Sequence, residues 1–184
     1  MTSSEARLIS VDGVNAGALK NTARAIITAN RRHRPGVSLW GASGIFDELV
    51  FAEADAGVPS ARTLLLLYAA DLVFRLRWEI RPALDEGRLV VAAPYVTTAI
   101  AFGQAAGLDA AWLTDLFLFA PQPAERRWVD APPAKHVADR AGFVEFSWQR
   151  LEKRLGGVTR LQLMERMRRH LRATARHTAG VPST

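Results

Sequence analysis

The chain has 184 residues, which is enough for one domain with a substantial core. Cysteine is absent, and this excludes disulfide bonds and thiolate zinc sites. No apolar run approaches the roughly 20 residues of a membrane-spanning helix, and the first residues lack the pattern of a signal peptide. We therefore expect a single cytoplasmic domain over residues 1–184 and no membrane partner.

The positive charge is concentrated near the C-terminal end. Residues 1–120 carry 11 basic and 12 acidic side chains, whereas residues 121–184 carry 13 and 6. Almost all of the late basic residues are arginines, whose planar guanidinium suits bidentate contact with phosphate. A solvated basic helix face explains them, and contact with nucleic acid is the alternative. Because no aromatic residues alternate with the arginines and no nucleic-acid-reading motif is present, we do not expect a nucleic-acid partner.

The first third of the chain alternates strand and helix. Leu8–Val11 is a short apolar run that predicts a buried strand, and Ala18–His33 has a helical pattern that ends before Pro35. Val37–Trp40 predicts the second strand. A strand, a helix and a strand within about 35 residues form a βαβ unit, so we expect a parallel sheet with helices on its faces.

The rest of the chain continues this alternation. Ser60 is a good N-cap for a long helix, and Pro82 is expected to disturb that helix near its end. The predicted elements are a helix over 61–86, a strand at Leu89–Ala93, helices over 97–106 and from 109 to 114, a strand at Phe117–Phe119, a helix over 138–155, and a last helix through Leu161, Met164 and Leu171. This order predicts an α/β fold with a parallel sheet of four or five strands flanked by helices.

A glycine-bearing turn between the first strand and the first helix has the order of a phosphate-binding loop. Such a loop surrounds a phosphate with backbone N–H groups, places a lysine on the outer phosphates and supplies a hydroxyl to Mg²⁺. The residues expected to contact phosphate are Gly13, Gly17, Lys20, Asn21 and Thr22, and Lys20 is the candidate catalytic residue.

The match to the full pattern G-x-x-x-x-G-K-[ST] is partial. Counted back from Lys20, the pattern needs glycine at positions 19 and 14 and Ser or Thr at position 21. The chain has Leu19, Val14 and Asn21 there. The competing explanation for Lys20 is an exposed lysine near the start of a helix.

Several blocks in order resemble the bacterial thymidylate kinase family of P-loop nucleoside monophosphate kinases. Ile9–Gly13 looks like the strand that leads into the family's phosphate loop. Leu66–Asp71, followed by Glu79–Leu84, resembles the family's L-L-F-A-A-D-R and I-R-P-A-L, and Val90–Phe102 resembles V-I-C-D-R-Y-x-x-S-x-x-A-Y. The likeness extends over about residues 8–155 and implies a three-layer P-loop NTPase fold.

The resemblance implies roles for aromatic side chains. Tyr68 takes the place of a phenylalanine that stacks on the base, while Tyr95 and Phe102 match positions in the pocket of the phosphoryl acceptor. Burial in the core is the competing explanation for Tyr68 and Phe102.

The resemblance also implies a lid, cofactors and partners. Arg126 or Arg127 would serve as lid arginines within a lid-like segment at about 122–140. ATP and Mg²⁺ would be the cofactors of an active enzyme. A nucleotide ligand, a homodimer formed through the long helices and a protein partner are further expectations.

The departures from the family pattern fall on its chemistry. Ala93 and Pro94 replace an Asp-Arg pair that the family has near the metal and the acceptor phosphate, and Leu72 replaces the arginine of the A-A-D-R block. Phosphoryl transfer depends on positioning and on neutralising charge at the moving group. We therefore expect a catalytically weak or inactive relative that works as a nucleotide-binding or protein-interaction module. The alternative is a divergent kinase that transfers phosphate from ATP to dTMP or a related deoxynucleotide.

The histidines do not suggest a metal site. Metal ligands recur at short, characteristic spacings, and three of the four histidines stand among basic residues that would repel a cation. They are His33, His136, His170 and His177. We expect no metal held by protein side chains alone.

Overall fold

The computed structural model describes residues 6–41, 46, 48–49, 52–53, 57–133 and 142–179, with side chains as far as residue 176. Within this part of the chain, four parallel strands form one sheet in the order β2-β3-β1-β4. The strands are β1 (Arg7–Gly13), β2 (Gly36–Leu39), β3 (Leu89–Ala93) and β4 (Glu125–Val129). The expected parallel α/β sheet is confirmed.

Helices connect the strands as parallel pairing requires. A short 3₁₀ turn at Arg31–His33 follows the first helix, so the helix predicted as far as His33 ends earlier. The described helices are α1 (Ala16–Ala29), α2 (Ala61–Arg75), α3 (Arg81–Asp85), α4 (Val96–Ala105), α5 (Ala110–Leu116), α6 (Phe143–Leu151) and α7 (Arg160–Ala179).

The fourth strand lies later in the chain than predicted. The prediction of a strand at Phe117–Phe119 is wrong, because these residues form a turn after α5. Phe117 is buried there whereas Leu118 is exposed. The apolar run that predicted a buried strand therefore belongs to a turn. The actual strand, β4, reads Glu-Arg-Arg-Trp-Val and lies at the edge of the sheet, where charged side chains are tolerated.

The long helix predicted over 61–86 changes its winding before its end. A π-helical turn at Leu76–Ile80 joins α2 to α3, and Pro82 is the second residue of α3. Proline has no N–H, and its ring presses on the carbonyl four residues earlier, here that of Trp78. The predicted disturbance near Pro82 is confirmed.

The sheet has helices on both faces. On one face, Leu19 and Ala23 of α1 pack against Ile9 and Val11 of β1. The other face carries a larger core that includes buried side chains of α2, α4, α6 and α7. The three-layer arrangement of the predicted fold is therefore present.

Ion pairs hold α7 against the body. The Arg160 guanidinium forms a bidentate pair with the buried Glu145 carboxylate of α6, with Nε 2.8 Å from Oε2. Arg168 and Arg172 converge on Asp130, which follows β4, at 2.6 and 2.8 Å. Part of the positive charge near the C-terminal end therefore has a structural role.

The segment predicted as a lid contains a strand of the sheet. β4 lies within 122–140, and Arg126 and Arg127 are its second and third residues. Residues 134–140 of that segment lie outside the described residues.

Candidate functional site

The junction between β1 and α1 stands where the sequence predicted a phosphate loop. β1 ends at Gly13 and α1 begins at Ala16, so only Val14 and Asn15 connect them. The Asn15 side chain accepts a hydrogen bond at Oδ1 from the Ala18 N–H at 3.0 Å and donates from Nδ2 to the Pro132 carbonyl at 2.8 Å. An N-cap of this kind satisfies an N–H that a bound phosphate would otherwise use. The chain itself therefore caps this end of α1.

The predicted phosphate ligands follow this short connection into the helix. Gly17 lies in the first turn of α1, and Lys20, Asn21 and Thr22 lie in its second turn. The N–H groups of residues inside an α-helix bond to carbonyls four residues earlier, so those of residues 20–22 are not free to surround a phosphate. Gly13 thus lies at the end of β1 and the other four lie in α1, and their role in phosphate binding stays a prediction.

Gly13 has a packing reason for being glycine. A Cβ built at Gly13 would lie 2.8 Å from the Val129 carbonyl oxygen and 3.2 Å from the Leu19 side chain. The close approach of β4 and α1 therefore accounts for this glycine without a ligand.

Little space remains at the junction. The cavity there has a volume of about 10 Å³ and is lined by residues that include Pro94, Phe143 and Val144. A cavity of this size holds about one water molecule, far less than a phosphate group. The start of α6 closes the site from the other side, since a Cβ at Gly142 would lie 2.6 Å from the Ala16 Cβ.

Asp12, the residue before Gly13, organises the neighbouring helix. Its buried Oδ1 accepts hydrogen bonds from the N–H groups of Tyr95 and Thr98 at 3.0 and 2.9 Å and from the Thr98 hydroxyl at 2.8 Å. The Thr98 hydroxyl oxygen in turn accepts the Gly13 N–H at 3.1 Å. Burial raises the pKa of Asp12, and the hydrogen bonds from Thr98 and Tyr95 oppose that rise. Asp12 thus caps the first turn of α4 from another element.

The three predicted pocket aromatics lie close to this network. The Tyr68 hydroxyl donates to the carbonyls of Pro94 and Tyr95 at 3.0 and 3.1 Å, and the Tyr95 hydroxyl donates to the Pro121 carbonyl at 2.9 Å. Burial raises the pKa of both phenols, that of Tyr95 to about 12. Both hydroxyls therefore act as neutral donors to the backbone.

Protein side chains occupy the surroundings of these aromatics. The rings of Tyr68 and Phe102 lie 4.5 and 5.2 Å from the Phe143 ring, centroid to centroid. Phe143 also contacts Trp40, whose ring lies 5.9 Å away and packs edge-on against further rings at 5.1 and 5.7 Å, those of Phe46 and Phe146. Tyr68 and Phe102 therefore both pack against Phe143, and their role in a substrate pocket stays a prediction.

Known proteins of one family are similar to this chain in sequence and in fold. The chain is 40% identical over 84 residues, 44% of its length, to a probable thymidylate kinase of Thermococcus onnurineus. It is 39% identical over 67 residues, 36% of its length, to a probable thymidylate kinase of Pyrococcus horikoshii. Its fold matches the crystal structure of thymidylate kinase from Ehrlichia chaffeensis with a TM-score of 0.64 at 14% identity, over 95% of this chain and 84% of that one.

The chain is similar to thymidylate kinases in part of its sequence and in its fold. The matched segments span 41% and 33% of the length of the two curated relatives. No family model matches the chain. The P-loop α/β fold of a thymidylate kinase is therefore present, and the sequence relationship is concentrated in a part of it.

Arg75 is a buried cation of this thymidylate-kinase-like fold that the sequence analysis missed. Its Nε lies 2.8 Å from Oδ2 of Asp71, its Nη1 donates to the Ser38 hydroxyl at 3.4 Å, and its guanidinium carbon lies 5.7 Å from the Tyr68 ring centroid. Its Nη2 is buried without a hydrogen-bond partner. The signal was present in the sequence, since Asp71 and Arg75 are four residues apart on an otherwise apolar helix face.

The two arginines assigned to a thymidylate-kinase lid lie instead on β4. Arg126 donates to the Gln122 side chain, and Arg127 forms an ion pair with Glu125. Arg126 and Arg127 also line a cavity of about 520 Å³, together with Asp12 and residues of α7. Both side chains come from a strand that is hydrogen-bonded to β1, and their role as lid arginines stays a prediction.

Other binding chemistry is limited in the part of the chain that the structure describes. There, no group of three or more His, Asp or Glu side chains is arranged to hold a metal ion. In the same ranges, no helix is long and apolar enough to cross a membrane.

Proposed function

We propose that this thymidylate-kinase-like chain does not transfer phosphate and works as a protein-interaction module. The observation that carries the proposal is the two-residue junction between β1 and α1, which Asn15 caps and which leaves a cavity of about 10 Å³. A phosphoryl-transfer site needs a cradle of free N–H groups at that position.

The chemistry of the surrounding residues supports the same reading. Lys20 is exposed in the second turn of α1, and the positions of three charged family side chains hold Leu72, Ala93 and Pro94. Most of the catalytic power in phosphoryl transfer comes from positioning and charge neutralisation, so losing these groups together removes most of it. Mg²⁺ and ATP would be cofactors only of the active alternative.

A coupled assay with ATP, Mg²⁺ and a panel of nucleoside monophosphates that includes dTMP tests the proposal. We expect no turnover above the background without protein. Turnover that disappears in Lys20→Ala, with the fold intact by circular dichroism, would refute the inactive assignment and favour a divergent dTMP kinase. The Arg24→Ala variant is the control, because it removes an exposed cation from the same helix.

A second measurement separates nucleotide binding from catalysis. The closed junction predicts no calorimetric heat that depends on Lys20 when ATP or dTMP is titrated without Mg²⁺. Heat that Lys20→Ala abolishes would show a nucleotide-binding module in place of a protein-interaction module.

The surface offered to a protein partner lies on α2 and the turn that follows it. Four large apolar side chains are about half exposed or more there: Leu66 at 49%, Val73 at 50%, Phe74 at 62% and Trp78 at 61%. We call these four side chains the α2 apolar face. We propose that a second copy of this chain covers this face, as the resemblance to thymidylate kinases suggests for the long helices.

A further inference from the structure

A second concave site lies at the opposite end of α4 from the β1–α1 junction. The junction contacts α4 at Thr98, whereas this site begins at Gln104, about 9 Å further along the helix axis. Its volume is about 670 Å³, within the range of small-molecule pockets. Its walls are the end of α4 with the following Ala106 and Gly107, the turn over 154–158, and one side of α7. We call it the basic pocket.

The charged side chains that line the basic pocket are all basic. Arg154, Arg166 and Arg169 are among the lining residues, His170 is another, and the lining contains no Asp or Glu. Burial, followed by the nearby Arg169, lowers the pKa of His170, so its imidazole is neutral at pH 7 and offers a donor and an acceptor. The three arginines are exposed to solvent.

These arginines differ from their neighbours on α7. Arg160 is paired with Glu145, and Arg168 and Arg172 are paired with Asp130. Across the described ranges, no salt bridge joins Arg154, Arg166 or Arg169 to a carboxylate. Arg160, Arg168 and Arg172 therefore form ion pairs within the fold, whereas a different set of three arginines lines the cavity.

The pocket chemistry defines a ligand class. Guanidinium groups bind phosphate oxygens through pairs of charge-assisted hydrogen bonds, and three of them match a group that carries several negative charges. The partial negative charge at the end of α4 is about half an elementary charge and does not outweigh them. Leu155, Val158 and Ala173 add apolar surface for the rest of a small molecule.

We propose that the basic pocket binds a small molecule with two or more phosphate groups, with the phosphates on Arg166 and Arg169 and the apolar part against Leu155 and Val158. The proposal does not depend on phosphoryl transfer at the β1–α1 junction, because the two sites share no residue.

Calorimetric titration of the full chain with inorganic tripolyphosphate tests the proposal. We expect saturable binding with one site per chain. The double variant Arg166→Ala/Arg169→Ala should raise Kd by about a hundredfold, since each charge-assisted contact is worth roughly a factor of ten. The control Arg24→Ala/Arg31→Ala removes the same charge from exposed positions near α1 and should change Kd by less than about threefold.

Three results would overturn the proposal. Absence of saturable heat with tripolyphosphate is one, and an equal loss of affinity in the control variant is another, because it would indicate attraction by net charge alone. Binding of a 20-nucleotide RNA that tripolyphosphate does not displace would assign the basic surface to nucleic acid. The variant Arg166→Lys/Arg169→Lys keeps the charge and the helix, so an intermediate Kd there supports bidentate recognition.

Discussion

The Asp12 carboxylate and Thr98 join the end of β1 to the first turn of α4 through two hydrogen bonds to one oxygen. Oδ1 of Asp12 lies 2.9 Å from the Thr98 nitrogen and 2.8 Å from the Thr98 hydroxyl, and both groups are buried. The Thr98 hydroxyl also accepts the Gly13 N–H at 3.1 Å. The end of β1 and the start of α4 are thus fixed to each other beside the β1–α1 junction.

Replacing Asp12 tests how much this connection contributes to the free energy of unfolding. In Asp12→Ala, the N–H groups of Tyr95 and Thr98 lose their acceptor, so we expect the free energy of unfolding to fall by about 2–4 kcal/mol. Asp12→Asn keeps an oxygen at the same place and should cost less than half as much. Urea unfolding followed by circular dichroism measures both, and equal losses in the two variants would contradict the capping role.

The free energy of unfolding should also depend on pH differently in the unaltered chain and in Asp12→Asn. Burial raises the pKa of Asp12 above its ordinary value near 4, so between these two values the folded state holds a proton that the unfolded chain has released. The free energy of unfolding should therefore fall as the pH rises through this window and become level above it. The decline should be smaller in Asp12→Asn than in the unaltered chain, because asparagine does not titrate. Unfolding curves from pH 4 upward check this, and an unchanged slope would argue against a raised pKa.

The fold was largely predictable because its central strands are apolar and its helix boundaries carry strong local signals. Leu89–Ala93 is buried throughout and was predicted with the observed bounds, and Ser60 caps the Thr63 N–H as expected. β4 was not predictable in the same way, since an edge strand can be charged and Phe117–Phe119 offered a more apolar candidate. The feature that distinguishes β4 from the apolar turn at Phe117–Phe119 is its pairing with β1. This pairing is a tertiary contact, so the local sequence does not reveal it.

Asn15 provides the third prediction. Its side chain both caps α1 and holds the Pro132 carbonyl, at 3.0 and 2.8 Å. Asn15→Ala loses both contacts and should lower the free energy of unfolding by about 1–2 kcal/mol. Asn15→Asp keeps the acceptor for the Ala18 N–H and loses the donor to Pro132. Its free energy of unfolding should therefore lie between those of the unaltered chain and of Asn15→Ala. Thermal and urea unfolding give the order, and an alanine variant as stable as the unaltered chain would show that the cap contributes nothing.

The candidate site was less predictable than the fold. The sequence identified Gly13 and Lys20 by their types and order, but the function of a phosphate loop depends on the backbone path between them. That path is set by Asn15, whose capping side chain begins the helix at Ala16. Phe143 likewise lies far from Tyr68 and Phe102 in the chain, and only tertiary packing brings its ring between α2 and α4.

Two glycines in helices provide the fourth prediction, as a matched pair. A Cβ at Gly103 of α4 would overlap the Leu113 side chain and lie 2.9 Å from that of Leu65, whereas a Cβ at Gly17 of α1 would meet nothing closer than 3.4 Å. Gly103→Ala should therefore destabilise by about 1–3 kcal/mol through overpacking. Gly17→Ala should stabilise by roughly 0.5–1 kcal/mol, because alanine favours the helix. Parallel urea titrations measure both changes, and a stabilised Gly103→Ala variant would mean that α2 and α5 separate from α4 without cost.

The α2 apolar face provides the last prediction. The Phe74 and Trp78 rings lie 6.2 Å apart, centroid to centroid, and both are more than half exposed, so a second copy that covers them would remove a large apolar area from water. Sedimentation velocity at tens of micromolar should show a dimer for the unaltered chain. Phe74→Glu/Trp78→Glu should shift it to monomer while leaving the circular dichroism spectrum unchanged, because neither side chain belongs to the buried core. Leu118→Glu is the control, since it places one charge on an exposed turn away from α2 and should leave the dimer intact. A monomer at all concentrations in the unaltered chain, or a dimer that survives the double variant, would show that this face is not the homodimer interface.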